Sequence, residues 1–336
     1  MHVIIPASGY GTRLRPHTYT KPKPLVRLAG STILGHILDR LEGAGVNEIT
    51  FIVGYLGEQI REYVQKQYPH FKANYVEQPE MKGQAHAIYL AKELVHEPVL
   101  ILFADTISDA RVNMLLESGN DGVIFTKQVE DPRRFGVVVT DEEGIITRFV
   151  EKPEEFVSDQ AVIGLYYLKD YEGLFRAIKR QMEENIQIKG EFFLADALQL
   201  MVQDGTRLEA RTVDVWEDCG TPDALLQTNR YMLEHGGAAT VYSGGENSII
   251  VPPVHIGPDV HIVNSVVGPY VSLAEGCEVR DAILRDTIAD AGAIIEDTML
   301  SGSLIGNAAT VRGRYRKLNV GDASVVDFDY TNGEVS

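Results

Sequence analysis

Five basic side chains lie close together near the start of the chain, in a stretch that contains no carboxylate. They are Arg13, Arg15, Lys21, Lys23 and Arg27. The whole chain has 48 Asp and Glu against 31 Lys and Arg, which gives a net charge of -17. Solvated surfaces ordinarily mix the two signs, so this local positive field indicates a small polyanionic ligand, with a chance basic face as the alternative. The acidic remainder of the chain argues against nucleic acid or an anionic membrane as a partner.

A loop with two glycines adjoins these cations, in the segment PASGYGTR. Gly9 and Gly11 allow positive φ angles and let backbone N–H groups face an anion at close range, and the Thr12 hydroxyl can add a further group. Arg13 can hold phosphate oxygens through two donors at once. Lys23 lies between two prolines and can place a point charge at a fixed position, although a stiff surface loop would have the same prolines. The loop is therefore predicted to bind phosphate.

Two common phosphate-binding motifs do not fit this loop. A P-loop needs Lys followed by Ser or Thr after its last glycine, whereas Gly11 is followed by Thr12 and Arg13. A dinucleotide fingerprint needs a third glycine where Leu14 stands and an acidic residue about twenty positions later. The sequence therefore supports neither a P-loop kinase nor a nicotinamide enzyme.

The first part of the chain alternates strand patterns with helix patterns, as expected for an α/β fold. The apolar runs HVIIPA, EITFIVG, PVLILFAD and DGVIFTK read as buried strands. Helical spacing follows in STILGHILDRLEGAG, with a Ser31 or Thr32 cap and a Gly45 exit, and in GEQIREYVQKQY and GQAHAIYLAKELV. We expect a Rossmann-like mixed, mostly parallel sheet with helices on both faces. The segment FGVVVTDEEGIITRFVEKP predicts a hairpin turning at Glu143-Gly144, and AVIGLYYLK predicts a further strand.

A second pattern begins after the Gly- and Ser-rich segment EHGGAATVYSGGENS. Aliphatic residues then recur mostly every six positions, and similar segments recur at a spacing of roughly seventeen, which is typical of repeat architectures. This pattern resembles the hexapeptide-repeat left-handed β-helix family, and a β-sandwich is the alternative. The predicted domains are a catalytic domain over 1–235, a linker over 236–247, a left-handed parallel β-helix over 248–327 and a tail over 328–336.

Cysteine content and hydropathy indicate in which cellular compartment the protein is expected. Cys219 and Cys277 are the two cysteines of the chain, so no disulfide framework is expected and a reducing cytoplasm is the expected location. No basic segment precedes a long apolar run at the N-terminus, and no stretch is long enough to span a bilayer. We expect a cytoplasmic homo-oligomer.

The glycine loop and the KPKPL segment that follows it resemble the signature of the sugar-1-phosphate nucleotidylyltransferases, especially the glucose-1-phosphate thymidylyltransferase type. Further segments match the family in its own order, up to about residue 232. They are EQPEMKGQAHAI, LFADTI, RFGVVV, VEKP, VIGLYY, GEFFLADAL and WEDCGTPDALL. The resemblance implies transfer of a nucleotidyl group from a nucleoside triphosphate to a sugar 1-phosphate, with Mg²⁺ as cofactor.

The resemblance also implies roles for individual residues. Catalytic roles at the reacting phosphates are implied for Arg13, Lys23 and Lys152. Nucleotide binding is implied for Ala7, Ser8, Gly9, Gly11, Thr12, Gln78 and Gly83. Sugar binding is implied for Gly136, Glu151, Gly164 and Tyr166, and metal binding for Asp105 and Asp218.

Several of these residues have a plainer interpretation when taken alone. Asp105 follows an apolar strand and could cap a turn, Lys152 could pair with a local acid, and Gln78 could be polar surface. Ser8 stands where many thymidylyl enzymes have a second glycine, and Ala104 stands where glycine is frequent, so the base and the sugar stay open. We expect dTTP and glucose 1-phosphate, with UTP or GTP and another sugar 1-phosphate as the alternative.

Two other classes of function compete with this one. A catalytically silent regulator would keep the fold and the β-helix for assembly, but the intact set of implied residues argues against it. An acyltransferase activity of the β-helix is a further possibility. The β-helix is short and His255 and His261 lie only near its start, which favours a role in assembly or in covering the catalytic domain.

Overall fold

The structure is a computed structural model that describes residues 1–112, 115, 119–235, 237–240, 242, 244–313 and 319–327. The described residues divide into two compact units. Unit 1 comprises Met1–Tyr10 and His36–Trp216, and unit 2 comprises Gly11–Gly35 and the described residues from Glu217 onward. Most of the glycine loop and its cations therefore belong to the same unit as the C-terminal region. The predicted tail at 328–336 lies outside the described residues, and the predicted limits at 235 and 248 stay a prediction.

The strands of the first 218 residues are short and rich in β-branched residues. In chain order they are β1 (His2–Pro6), β2 (Arg27–Leu28), β3 (Ser31–Thr32), β4 (Glu48–Val53), β5 (Ala73–Glu77), β6 (Val99–Leu102), β7 (Thr106–Ser108), β8 (Gly122–Gln128), β9 (Gly136–Thr140), β10 (Ile146–Glu151), β11 (Gln160–Leu168), β12 (Leu208–Thr212) and β13 (Trp216–Asp218). The helices are α1 (Ile33–Leu41), α2 (Gly57–Gln67), α3 (Gln84–Tyr89), α4 (Tyr171–Glu183), α5 (Leu194–Gln203) and α6 (Pro222–His235).

Nine of these strands form one mixed sheet in unit 1. The order is β10-β9-β11-β6-β1-β4-β5, with β8 joined to β11 and β12 joined to β8. Strands β6, β1, β4 and β5 run parallel to one another, whereas β11 is antiparallel to β6, β8 and β9. Val3, Ile4 and Ile5 of β1 are fully buried, as expected for a central strand covered on both faces. The predicted mixed, Rossmann-like sheet is confirmed.

Most helix caps and turns predicted from the sequence lie at helix or strand boundaries in the structure. The side chain of Thr32 accepts a hydrogen bond from the Gly35 N–H at 2.8 Å, which is the predicted cap of α1. The predicted hairpin is β9 with β10, and Gly144 has a φ of 78° at its turn. Helix α3 is shorter than predicted, since it ends at Tyr89 and a 3-10 turn follows at Lys92–Leu94.

The C-terminal region is a left-handed parallel β-helix with three strands per coil. Its strands are β14 (Ile249–Ile250), β15 (Val254–Ile256), β16 (His261–Val263), β17 (Val266–Val267), β18 (Val271–Leu273), β19 (Glu278–Arg280), β20 (Ile283–Ala289), β21 (Ile294–Glu296), β22 (Met299–Ile305), β23 (Thr310–Arg312), β24 (Asn319–Val320) and β25 (Val325–Asp327). All pairings between them are parallel among the described residues.

Aliphatic side chains stack inside this β-helix from coil to coil. Val279, Ile295 and Val311 lie in register on β19, β21 and β23, and all three are fully buried. A fully buried Val or Ile side chain stabilises a fold by about 1.5–3 kcal/mol. The three residues lie sixteen positions apart, so this stack reflects the repeat of one whole coil. At one corner Gly268 has a φ of 112°, and a Cβ there would lie 1.9 Å from the Val251 carbonyl oxygen. The predicted glycine corner is therefore required by space as well as by conformation.

Cys219 and Cys277 are both buried free thiols. No helix within the described ranges has the length and apolar character needed to cross a membrane.

Candidate functional site

Three predicted site segments of unit 1 emerge at one edge of the sheet. The segment from Ala7 to Gly9 follows β1, Gln78 follows β5, and Asp105 lies in the turn after β6. Because β1, β5 and β6 all run in the same direction, their carboxyl ends meet at this edge. Ligands of open α/β sheets bind at such edges. The predicted exit of Asp105 beyond a buried strand is confirmed.

A hydrogen-bond network joins three of the predicted nucleotide-binding residues. The Ser8 hydroxyl donates to Oε1 of Gln78 at 2.5 Å, and Nε2 of Gln78 lies 3.2 Å from the Gly83 carbonyl oxygen and 3.1 Å from Nδ1 of His86. Ser8 and Gln78 are 6% and 3% exposed. Both polar groups of the Gln78 side chain thus contact the protein itself. The chain holds Gln78 in one orientation, and its role toward a base stays a prediction.

Two glycines at this edge are required because a larger residue would not fit there. Gly83 has a φ of 96°, and a Cβ there would lie 2.6 Å from the backbone nitrogen and oxygen of Phe192. Gly54 follows β4, and a Cβ there would lie 2.7 Å from the Ser8 carbonyl oxygen. Gly54 is absent from the predicted site, although its place directly after the strand EITFIV is a sequence signal for it. Both glycines let a loop pass close to the sheet edge.

Two predicted sugar-binding residues face each other on β9 and β10. Gly136 is paired with Glu151 in the antiparallel register, and a Cβ at Gly136 would lie 2.9 Å from Oε2 of Glu151. The glycine therefore leaves room for the carboxylate. Burial raises the pKa of Glu151 above its ordinary range, and the nearby ammonium group of Lys152 opposes that rise. The carboxylate is held in a mostly buried place, where its charge is costly.

Lys152 extends from the end of β10 in an unusual backbone conformation. Its φ is 43°, and its backbone N–H donates to the Phe135 carbonyl oxygen at 3.1 Å. Its Nζ lies 3.4 Å from Oε1 of Glu151 and 4.5 Å from the ring centroid of Phe193. Positive φ at a residue other than glycine costs about 1–3 kcal/mol, so the surrounding structure fixes this lysine firmly. Phe193 is a contact that the sequence reasoning missed, although it lies in the GEFFLADAL segment.

Gly164 and Tyr166 lie on β11 beside β6. Gly164 has a φ of 86°, its carbonyl oxygen accepts from the Phe103 N–H at 2.9 Å, and a Cβ there would lie 2.8 Å from Cδ2 of Phe103. Tyr166 is 6% exposed, its ring centroid lies 5.7 Å from that of Phe103, and burial raises the pKa of its hydroxyl. Tyr166 is thus mainly a core residue, and its predicted contact with a sugar stays a prediction.

The Glu151→Gln substitution is expected to stabilise the protein at neutral pH. A carboxyl group whose pKa is raised on folding holds its proton more tightly in the folded state. The contribution of the Glu151 carboxyl group to the free energy of unfolding is therefore lost as the pH rises from the pKa of this group in the unfolded chain through its pKa in the folded protein. Urea unfolding at several pH values measures this loss, and the gain of the variant over wild type should grow with pH.

Glu154→Gln is the control for that measurement, because Glu154 is an exposed acid three positions along the chain. The free energy of unfolding of Glu154→Gln should lie within about 0.5 kcal/mol of the wild-type value, as expected of an exposed side chain. Equal pH profiles for Glu151→Gln and wild type would contradict the assignment of a buried, destabilising carboxylate at position 151.

The unit 2 part of the predicted phosphate-binding loop, residues 11–26 and hereafter the phosphate loop, turns at Gly11. The φ of Gly11 is 61°, and a Cβ there would lie 3.0 Å from both Cβ of Lys23 and Cγ2 of Thr18. The Thr18 hydroxyl donates to the Gly11 carbonyl oxygen at 2.8 Å. Gly11 therefore adopts the positive φ that the sequence allows. Gly9, which belongs to unit 1, does not share it, and nothing lies within 4 Å of a Cβ placed there.

Arg13 and Asp218 lie together in unit 2. A Cβ on Gly220 would lie 2.9 Å from Nη2 of Arg13, 2.7 Å from Oδ1 of Asp218 and 3.0 Å from Oδ2. Arg13 is exposed on a 3-10 turn formed by Thr12–Leu14. Thr12 is the first residue of this turn, and its side chain is also exposed. The structure thus brings a predicted phosphate-binding cation beside a predicted metal-binding carboxylate. Gly220 is a further residue that the prediction missed, although it follows directly in the WEDCG segment.

The interpretation of the cation cluster needs one correction. Lys21 forms an ion pair with Asp290, and Nη2 of Arg27 lies 2.7 Å from Oε1 of Glu275, both on the β-helix. These two cations therefore compensate acidic groups of the chain and do not simply add to a field for a ligand. Arg15 lies over the Tyr19 ring at 4.9 Å. Sequence alone cannot make this distinction, because the acidic partners lie far along the chain.

Comparisons with known proteins agree with this architecture. A family model described as nucleotidyl transferase matches residues 2–235. The UTP–glucose-1-phosphate uridylyltransferase AglF of Haloferax volcanii is 30% identical over 71% of this chain and 100% of its own length. A glucose-1-phosphate thymidylyltransferase of Streptomyces griseus is 28% identical over 93% of each chain. The crystal structure of a UDP-glucose pyrophosphorylase, at 23% identity, superposes with a TM-score of 0.62 over 69% of this chain and 98% of that one.

Proposed function

Because the chain belongs to the nucleotidyl transferase family, we propose that it joins glucose 1-phosphate to the nucleotidyl group of dTTP and releases pyrophosphate. The observation that carries the proposal is the family match over residues 2–235, which includes every residue of the predicted site. The names of the two relatives above differ in nucleotide, one naming UTP and the other thymidylyl transfer. The alternative is therefore UTP or GTP, with another sugar 1-phosphate.

The proposed reaction is an in-line displacement at the α-phosphorus of the triphosphate. A phosphate oxygen of the sugar 1-phosphate forms the new P–O bond, and the bond between the α-phosphorus and the bridging oxygen breaks. The electron pair leaves with pyrophosphate. The attacking phosphate is largely dianionic at neutral pH, since its second pKa is about 6, so no general base is needed. The protein has to position two anions that repel each other and to offset the charge of the leaving group.

The geometry of each unit supports a division of roles. In unit 2, the turn at Gly11 with Thr12, Arg13 and Lys23 would hold the triphosphate and offset its charge. In unit 1, Ala7, Ser8, Gly9, Gln78 and Gly83 would bind the nucleotide, since they follow the strand ends of the sheet or contact one another there. Glu151 would accept hydrogen bonds from sugar hydroxyls, with Gly136, Gly164 and Tyr166 around it. Lys152, fixed by its backbone and by Phe193, would meet the sugar phosphate.

Asp105 and Asp218 fit the proposed Mg²⁺ by the chemistry of their oxygen donors. Mg²⁺ in such sites takes one or two carboxylates and fills its remaining positions with water and phosphate oxygens. In the part of the chain that the structure describes, no group of three or more His, Cys, Asp or Glu is placed to hold a metal. When bound, Mg²⁺ would offset negative charge on the phosphates.

A substrate panel tests the proposed function. Pyrophosphate release is measured with Mg²⁺ for dTTP, UTP, GTP, ATP and CTP, each combined with glucose-, galactose-, mannose- and N-acetylglucosamine-1-phosphate. We expect release to be fastest with dTTP and glucose 1-phosphate. A different preferred pair would replace the proposed substrates but keep the reaction.

The panel also decides between the transferase and the silent regulator. A folded protein that releases no pyrophosphate with any pair, and still binds nucleotide in a direct titration, would contradict the transferase. The surroundings of His255 argue against an acyltransferase role for this residue, because its Nδ1 lies 2.8 Å from the Ala238 carbonyl oxygen and a Cβ at Gly30 would lie 2.3 Å from its Cε1 atom. His261, the other histidine of the β-helix, is exposed.

A further inference from the structure

The segment between Arg13 and Lys23 contacts the β-helix at several separate points in unit 2. The ring of His17 shares a hydrogen bond with the side chain of Asn319, and Thr20 donates to the carboxylate of Asp322. A Cβ on Gly321 would lie 2.9 Å from Cβ of Pro16. These contacts come from one end of the β-helix, and they hold residues 16–20 of the loop.

A second set of contacts centres on Asp290, at the corner after β20. One of its carboxylate oxygens binds the ammonium group of Lys21, and the other lies 3.5 Å from Nε of Arg27. The side chains of Lys21 and Asp290 are only 16% and 12% exposed. The Ala291 N–H donates to Oδ1 of Asp290 at 2.8 Å, and the Asp290 N–H donates to the Ile305 carbonyl oxygen at 2.9 Å. The β-helix ladder thus fixes a carboxylate that holds two cations of the loop.

The path from Asp290 to the proposed phosphate-binding groups is short and stiff. Lys21 is separated from Lys23 by Pro22, whose φ is -69°, and Pro24 follows. Lys23 in turn packs against Gly11, whose positive φ sets the direction in which the chain enters the turn that carries Arg13. A shift at Lys21 would therefore move the backbone of Lys23 and the turn at Gly11.

We propose that Asp290 is a positioning residue for the phosphate loop, and that the β-helix fixes the places of Arg13 and Lys23 through the Lys21 and Arg27 ion pairs. This inference rests on the proposed function for its catalytic consequence, but the placement of the loop can be measured by itself. Removal of one partner of a well-buried ion pair strongly destabilises a protein, because the other charge is left uncompensated. Asp290→Asn removes the carboxylate that pairs with Lys21, while Arg27 keeps its pair with Glu275.

Hydrogen exchange of the loop amides is the first readout. In Asp290→Asn, the amides of residues 11–26 should exchange about tenfold faster than in wild type, since local opening controls exchange in such segments. Glu296→Gln is the matched control, because Glu296 also pairs with an arginine, with Nε of Arg312 at 2.8 Å, but within the β-helix. Exchange in Asp290→Asn equal to that in Glu296→Gln would overturn the inference, whatever the activity of the protein.

Kinetics provide the second readout. Asp290→Asn should raise the KM for the triphosphate by about tenfold and leave the KM for the sugar 1-phosphate within about twofold, because the affected loop would bind the triphosphate. A loss of general stability would alter neither constant selectively. Equal changes in both constants would overturn the inference.

Two further variants keep the test decisive if Asp290→Asn does not fold. Lys21→Met removes the same pair from the loop side and should show the same faster exchange, whereas Lys21→Arg should restore slow exchange. Wild-type exchange in Lys21→Met would again overturn the inference. The two proposals can fail separately. If the wild-type protein releases no pyrophosphate in the substrate panel, the proposed function is contradicted. If its loop amides are nevertheless protected, and this protection is lost in Asp290→Asn and Lys21→Met, the placement of the loop by Asp290 is still supported.

Discussion

Replacement of Arg13 by alanine is expected to lower kcat/KM for pyrophosphate release by about 10³-fold, which corresponds to about 4 kcal/mol. Arg13 is exposed on the turn after Gly11 and lies beside Asp218 across Gly220. Its guanidinium can donate two parallel hydrogen bonds to phosphate oxygens, and an alanine offers neither the charge nor the donors. Initial rates at varied triphosphate concentration, with the preferred sugar phosphate in excess, measure the loss.

Arg15→Ala is the matched control for this prediction. Arg15 is also an exposed arginine of the same loop, two positions away, and lies over the Tyr19 ring. Its removal should change kcat/KM by less than about threefold, as expected of an exposed charge outside the site. Equal losses in the two variants would show that the loop acts through its general positive field, and the specific role of Arg13 would then be wrong.

Asp218→Asn is expected to lower kcat/KM by about 10²-fold to 10³-fold at a fixed Mg²⁺ concentration. The substitution keeps the size of the side chain and removes the negative charge that the proposed Mg²⁺ requires. Part of the loss should be recovered as Mg²⁺ is raised, because the weakened site then fills again. Initial rates over a Mg²⁺ titration measure both effects, and chelation of the metal should abolish release in wild type.

The neighbouring carboxylate provides the control for Asp218. Successive side chains of a strand point to opposite faces, and Oε2 of Glu217 lies 3.5 Å from the Thr228 hydroxyl on α6. Burial raises the pKa of Glu217. Glu217→Gln should therefore leave kcat/KM within about threefold and show no altered Mg²⁺ dependence. A loss in Glu217→Gln as large as that in Asp218→Asn would contradict the assignment.

Local patterns in the sequence predicted most of the fold for physical reasons. The β-branched runs that became β1, β4 and β6 are typical of strands buried on both faces of a sheet, and the spacing of six in the C-terminal region is typical of a stacked interior. The turn at Gly11 was predictable because few residues other than glycine tolerate its φ. Gly9 shows the limit of such reasoning, because the same residue type there has ordinary φ and open space.

The remaining features depend on contacts that no local pattern contains. The hydrogen bond between Ser8 and Gln78 joins residues 70 positions apart, and the pair of Arg27 with Glu275 joins residues 248 positions apart. Phe193 contacts Lys152 only because α5 and β10 pack together in the folded chain. Family resemblance finds residues by motif and cannot tell that Lys21 binds a carboxylate of the chain itself.

The loop contacts join residues that lie far apart in the sequence, which affects when they can form during synthesis of the protein. Lys21 and Asp290 are 269 positions apart, and His17 and Asn319 are 302 positions apart. At translation rates of about 5–20 residues per second, the N-terminal loop waits roughly 15–60 s for the coils that hold it. Strands β1 and β4 can pair much earlier, so a nascent or prematurely terminated chain can contain a folded sheet and an unanchored phosphate loop. The loop would therefore be anchored only after the coils that carry Asp290 and Asn319 have been synthesised.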